Sequence, residues 1–313
     1  MTDLIGDAKQ VQSAKAVDAV SRAEALALST KPESFASQAW KRFRSHKLAI
    51  VGSAILVFLI AAFFIGPHIS PYDFDEINVL DRSQGPSTKH WFGTDDIGRD
   101  LFVRSMTGGQ FSIRISVLTG LLAAALGGLL GGLAGYLGGV TDSLVSFFIN
   151  VLLTVNTLAV LLILGIKFQI TPVSMAVLLS VLIWFRGGRV TRALTLQYKE
   201  REFVLAAKAA GAGTTRILFR HILPNVAGAV LVEGTLLAGT AIILESTLSF
   251  LGLGVQPPAT TLGTLIQEAK GSIDTKPYRV LIPGGIVTLI VLAINFLGDG
   301  LRDALDPTHE GDN

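Results

Sequence analysis

Cysteine is absent from all 313 residues, which removes disulfides, thiolate metal sites and a cysteine nucleophile while leaving the compartment open. Charge is scarce as well: 16% of residues are Asp, Glu, Lys or Arg against 50% hydrophobic, and the mean hydropathy is +0.55. A soluble domain carries about a quarter of its residues charged, so this shortage points to a chain that crosses a membrane several times. The formal net charge of +2 gives a nucleic-acid partner no electrostatic footing, and none is expected. Also missing are the phosphate loop GxxxxGKS/T, the zinc motif HExxH and the nucleophile elbow GxSxG, and the five histidines at 46, 68, 90, 221 and 309 are scattered. The chain therefore has no recognised means of hydrolysing ATP or of zinc or serine chemistry. Transport driven by ATP would need its ATPase on another chain.

Long uncharged runs are what the sequence has in abundance. A spanning helix needs about 20 predominantly apolar residues, and five runs qualify: Leu48 to Tyr72, Ile115 to Thr141, Ser143 to Ile166, Phe168 to Phe185 and Val280 to Gly298. A sixth, Val226 to Leu248, is apolar apart from Glu233 and Glu245. The expectation is an all-α polytopic membrane protein with six transmembrane helices and both termini on one side.

Residues 1 to 30 are polar and Ala-rich, without the apolar core of a cleaved signal peptide, and read as a flexible tail. From Pro32, suited to a helix start, Phe35, Ala36, Ala39, Trp40 and Phe43 repeat on one helical face. Lys41, Arg42, Arg44 and Lys47 follow immediately before the first run. That combination predicts an interfacial helix against the lipid bilayer and a cytoplasmic N-terminus.

Between Pro67 and Arg114, seven acidic residues face five basic ones, which fits the opposite, extracytoplasmic side. Within this region HWFGTDDIGRD, His90 to Asp100, has Gly93 to break the chain and Thr94 or Asp95 to cap a following helix. A metal site from His90 and the aspartates matches no standard spacing and is not expected. In the second run the glycines at 127, 131, 135 and 139 form a stripe, with Gly128 and Gly132 on the next ridge, a surface for close helix packing.

From Arg186 to His221 eight Lys or Arg oppose Glu200 and Glu202, so this loop belongs to the cytoplasm. Its stretch Lys199 to Asn225 places Phe203, Ala207 and Ala210 at i, i+4 and i+7. Gly211 and Gly213 then interrupt, and a second helix is expected from Thr214 to Leu223 before Pro224. Two short helices joined at glycine make a compact knob.

Glu233 and Glu245 are candidate pathway residues, because intramembrane charge is a functional signal by default. Their spacing puts them about 120° apart around a helix and about 18 Å along it, so they do not form one site. The alternative is that Glu245 lies near the outer interface and Glu233 is neutral or paired with a neighbouring helix. At the end of the chain, Gly298 and Gly300 are expected to stop the last span, and Arg302 with Asp306 forms a weak surface pair.

Leu205, Ala206 and Ala207, three residues, Gly211, nine residues and then His221, Ile222, Leu223 and Pro224 resemble the EAA loop of binding-protein-dependent ABC importer permeases. Three further stretches, Gly93 to Asp100 (GTDDIGRD), Leu248 to Pro258 (LSFLGLGVQPP) and Gly298 to Pro307 (GDGLRDALDP), resemble the second permease subunit of the oligopeptide, dipeptide and nickel importers. Together the matches run from about Trp40 to Pro307.

The resemblance implies a type I ABC importer permease fold: a cytoplasmic tail over 1–31, an interfacial helix over 32–47 and a first span over 48–66. An extracytoplasmic region over 67–113 follows, then a core permease domain over 114–301 with coupling loop 199–225 and a cytoplasmic tail over 302–313. It implies a coupling role for Ala206, Ala207 and Gly211, flanked by Glu202, Phe203 and Lys208.

The implied partners are a homologous second permease subunit, two cytoplasmic ATP-binding subunits that hold the ATP and magnesium, and an extracytoplasmic solute-binding protein. The implied setting is a bacterial or archaeal inner membrane, and the implied cargo is di- or oligopeptides, with nickel or another small solute as the alternative. Two positions depart from the pattern, Leu205 in place of Glu and His221 in place of Ile. A secondary transporter or channel is the competing class; no broken-helix repeat is apparent in the sequence to support it. A membrane-embedded enzyme would need a clustered catalytic constellation, and none is visible.

Overall fold

The computed structural model describes residues 35–305, all of them in helices, turns and loops apart from an isolated bridge between Thr94 and Asp100. The expected helix start at Pro32 and the Arg302–Asp306 pair fall partly outside these residues. The chain divides into two units, one ending at Arg42 and one beginning at Phe43. Helix α1, Phe35–Ser45, is where the apolar periodicity predicts it.

Helix α2, Lys47–Ile69, starts where the side chain of His46 accepts the amide of Ala49 through Nδ1 at 3.1 Å. Helix α3, Leu101–Leu137, has 37 residues and a length of about 55 Å. It begins well ahead of the uncharged run at Ile115 because Asp100 caps it, accepting from the amide of Val103 at 3.0 Å. Thr94 and Asp95, the caps suggested by the sequence, instead fold into the preceding loop.

Two expected spans are bent. Residues expected as one helix over Ser143 to Ile166 form α4, Gly139–Thr154, and α5, Thr157–Lys167, at 85° to each other. The break follows from Asn156, whose side-chain oxygen accepts from the amides of Leu158 and Ala159 and so starts a new helix. The next span is α6, Pro172–Ile183, and α7, Phe185–Tyr198, bent by 46° at Trp184. Four helices are long and apolar enough to span singly, and the two bent pairs bring the number to six among the described residues.

Beyond α7 come α8, Glu202–Ala209, α9, Thr214–Ile217, a single π turn Leu218–Ile222 and α10, Leu223–Phe250. The expected separate helix ending at Pro224 is therefore the base of a longer one: Thr214 to Phe250 is one continuous helical stretch. Pro224 fits in the first turn of α10, where its missing N–H leaves no bond unmade. Helix α11, Leu262–Ala269, and helix α12, Tyr278–Leu305, complete the fold.

The long α3 is the centre of the bundle, packed by α7, α10, α6 and α2, while α12 packs on α2 and α10. The glycine stripe explains the closest of these approaches. A Cβ on Gly127 would fall 2.7 Å from the Gly188 nitrogen and 2.9 Å from the Trp184 oxygen of α7, and one on Gly131 would overlap the Gly188 carbonyl. One on Gly135 would fall 2.8 Å from the Arg192 oxygen. Gly128 and Gly132 face Val230 and Leu223 of α10.

Gly139, the expected fourth member of the stripe, has φ +53° and nothing near it; it turns the chain into α4. Nor do Gly298 and Gly300 end the last span. Helix α12 runs through both because they are contact sites, against Leu236 and against Ala49.

Candidate functional site

The knob expected between Lys199 and Asn225 is a packed structural unit. Helix α8 is held by Val204, fully buried with Ile217, Leu218 and Ile222 against Leu133, Tyr136 and Tyr198. Its other face is open: Phe203 is 40% and Leu205 47% exposed, and Glu202, Ala206, Lys208 and Ala210 are exposed too. The apolar face expected at Phe203, Ala207 and Ala210 is thus divided, since Ala207 turns inward to the buried cluster. Val204 is the anchor that spacing alone missed, one residue off the chosen phase.

Gly211 makes the turn between the helices with φ +81°, a conformation that costs other residues about 1–2 kcal/mol. Space is not the reason for glycine here, since a Cβ would meet nothing within 4 Å. Lys208 places its ammonium 5.6 Å from the centroid of the Tyr136 ring, which ties the knob to the C-terminal end of α3. Next to this end, Arg192 of α7 forms a bidentate pair with Asp142 of α4, through Nε to Oδ1 and through Nη2 to Oδ2 at 2.7 Å. The departure at Leu205 leaves an exposed apolar side chain where the EAA pattern carries a carboxylate.

The two intramembrane carboxylates have different surroundings. Glu245 is 1% exposed and accepts hydrogen bonds from Ser249 at 2.8 Å, Ser112 of α3 at 3.3 Å and Ser246 at 3.4 Å. Ser112 in turn accepts the amide of Leu262 at 3.2 Å, so one buried acid connects α3, α10 and the start of α11. It lies near the C-terminal end of α10, inside the bundle. Glu233 is half-buried beside Gly187 of α7, whose Cβ position is 3.7 Å away, and has no hydrogen-bond or ion-pair partner among the described residues.

On the opposite side of the bundle, the HWFGTDDIGRD loop is clamped by charge. Arg279 of α12 reaches Asp96 at 2.6 Å and the Thr94 carbonyl at 2.7 Å. Arg99 and Arg104 share Glu268 of α11 at 3.1 and 2.9 Å, pairs too distant in sequence for spacing to reveal. His90 is buried, with Nδ1 2.8 Å from Asp100 and Nε2 3.6 Å from Asp81, and it braces the loop.

Arg279 donates to Asp96 and Lys89 to Asp81, and these bonds hold both carboxyls below the ordinary 3.8. The Asp81 bond also raises Lys89 above 10.5. A depressed carboxyl contributes stability that is complete above its unfolded value and lost as pH falls through the folded one. Trp91 fluorescence is therefore expected to stay level down to about pH 4 and to change in more acidic solution. Asp96→Asn should flatten that acid limb, and an unchanged limb would discount the Arg279 clamp.

A multi-span helical bundle with a charge-clamped loop at one end and an exposed helical knob at the other is the architecture of a membrane transport subunit. The family profile described as binding-protein-dependent transport system inner membrane component matches residues 127–310, and that of the N-terminal TM domain of oligopeptide transport permease C matches 34–86. The chain belongs to this family of binding-protein-dependent permease subunits.

Among its relatives, the oligopeptide transport system permease protein OppC of Bacillus subtilis is 38% identical over 92% of this chain and 95% of its own. The dipeptide transport system permease protein DppC of Alkalihalophilus pseudofirmus is 39% identical over 86% and 89%. The oligopeptide transport system permease protein OppC of Mycobacterium bovis is 35% identical over 85% and 92%. Against the competing class of secondary transporter or channel, the family match decides.

Proposed function

We propose that this chain is one half of the heterodimeric pore of an ATP-driven importer that takes up di- or oligopeptides. A homologous permease subunit completes the pore, a solute-binding protein delivers cargo on the extracytoplasmic side, and two cytoplasmic subunits bind ATP and magnesium. The supporting observation is the knob formed by α8 and α9, exposed on an otherwise anchored base, in a chain with no phosphate loop of its own. Ala206, Ala207 and Gly211 form its coupling core, with Glu202, Phe203 and Lys208 at the flanks. Burying Phe203 and Leu205 in an ATPase groove would contribute roughly 1.5–3 kcal/mol each, so apolar contact takes over from the missing motif carboxylate.

The proposed layout has cytoplasmic tails at 1–31 and 302–313, an interfacial helix at 32–47, a first span at 48–66, an extracytoplasmic region at 67–113 and the permease core at 114–301. Both termini are cytoplasmic, as the basic residues of the N-terminal segment and of the 186–221 loop require. The peptide cargo is inferred from the names of the relatives. Alternating access would move Glu233 and Glu245 in and out of the pathway, Glu245 only when α3 and α11 separate. Glu233→Gln is expected to alter peptide preference or uptake rate in proteoliposomes, and identical uptake would remove it from the pathway.

The deciding experiment co-expresses this chain with its genetic neighbours, reconstitutes the complex and measures ATP hydrolysis with loaded binding protein. Stimulation by peptide-loaded protein is the expected result. A chain that purifies alone and transports without ATP would overturn the reading, and stimulation by nickel-loaded protein only would replace the cargo.

A further inference from the structure

Arg114 lies 13 residues into α3, about 20 Å along its axis. The structure sets it beside the apolar helix α2. Its guanidinium carbon is 5.3 Å from the centroid of the Phe64 ring and 5.9 Å from that of Phe111. Phe64 precedes Ile69, the end of α2, by five residues, or roughly 7.5 Å.

The cation is therefore level with the last turns of the apolar helix α2, and it is exposed on the side of the bundle. Its five N–H donors meet no hydrogen-bond or ion-pair acceptor from this chain among the described residues. Leaving them unmatched beside an apolar, lipid-like surface would be costly, so an acceptor must come from beyond the described residues.

The surroundings indicate which one. Below Arg114 the same face of α3 continues as Val117, Leu121 and Leu129, all more than 40% exposed, and beside it stand Ile65 and Ile69, more than half exposed. That is an apolar, lipid-like surface with one cation near its end. Helical side chains tilt toward the N-terminus, here toward the nearer end of α2, and the contact with Phe111 one turn back shows Arg114 doing so. His68 is exposed one turn beyond Phe64, with Nδ1 3.0 Å from the Phe64 carbonyl and Nε2 left over.

We propose that Arg114, with Phe64, Phe111 and His68, seats the phosphate of a phospholipid head group. The guanidinium snorkels along the two rings and donates to the phosphate oxygens, and His68 Nε2 lies on the headgroup side. The outer leaflet follows from the orientation proposed above, whereas the site itself holds for either orientation.

Native mass spectrometry of the purified complex, titrated with phosphatidylglycerol and with a phosphate-free galactolipid, tests this. The wild type should retain phosphatidylglycerol over galactolipid. Arg114→Gln should weaken phosphatidylglycerol binding roughly tenfold, Arg114→Lys should keep part of it, and the second permease subunit should remain bound in each. Equal retention by wild type and Arg114→Gln overturns the proposal, as does equal binding of both lipids. Loss of the second permease subunit from Arg114→Gln with lipid retention unchanged also overturns it, because the acceptor is then a carboxylate of that subunit. Should Arg114→Gln fail to fold, Phe64→Leu keeps the test: reduced lipid retention supports the seat and unchanged retention overturns it. The readouts are lipid and subunit retention and involve no transport, so a failure here is distinct from a failure of the transport reading.

Discussion

Gly131→Leu is expected to abolish recovery of the folded protein, with the monodisperse peak on size exclusion falling to background. A Cβ at this position already overlaps the Gly188 carbonyl and lies 3.1 Å from the Arg192 nitrogen, so the obstacle is backbone and no side-chain rotation relieves it. The four-carbon side chain would push α3 from α7 along their whole contact, at a cost above the roughly 1–3 kcal/mol usual for an overpacked core. Gly128→Ala is the matched control. Its Cβ would meet Val230 at 3.4 Å, an ordinary contact, and near-normal recovery is expected. Normal recovery of Gly131→Leu would show that α3 and α7 do not pack as described.

Gly211→Asp is expected to leave the spans assembled while peptide uptake in proteoliposomes drops at least about tenfold and ATP hydrolysis loses its dependence on the binding protein. The substitution meets no clash; it acts on the turn and on the surface. Aspartate tolerates φ +81° better than most residues but not freely, and it places a charge beside exposed Ala206 and Ala210. Gly211→Asn tolerates the same backbone without that charge and should retain more uptake. Uptake at the wild-type rate in Gly211→Asp would remove the loop from energy coupling.

Much of this molecule was legible in its sequence. Uncharged runs located the spans, and the glycine stripe at 127, 131 and 135 identified the closest packed face. The misreadings share a cause. Asn156 is uncharged and hides inside an apolar run, yet its side chain starts a new helix and bends the span by 85°. Gly298 and Gly300 look like stops until Leu236 and Ala49 are seen to occupy the space they leave. Of the candidate site, the knob and its turn were readable because they are local. The Val204 anchor, the hydroxyl cage of Glu245 and the pairs of Glu268 with Arg99 and Arg104 were not, because each depends on helices distant in sequence.

The continuous helical stretch from Thr214 to Phe250 has a mechanical consequence. Its 37 residues form a strut about 55 Å long, rooted in the knob at one end and joined near the other, through Glu245 and Ser112, to the amide that opens α11. A hydrogen-bonded helix resists compression along its axis, so a displacement at the base arrives at the far end little reduced. Its only irregular turn is Leu218–Ile222, beside the base. Bending there would swing the entire strut as a lever, and a movement of a few tenths of an ångström at the knob would become a larger one at Glu245.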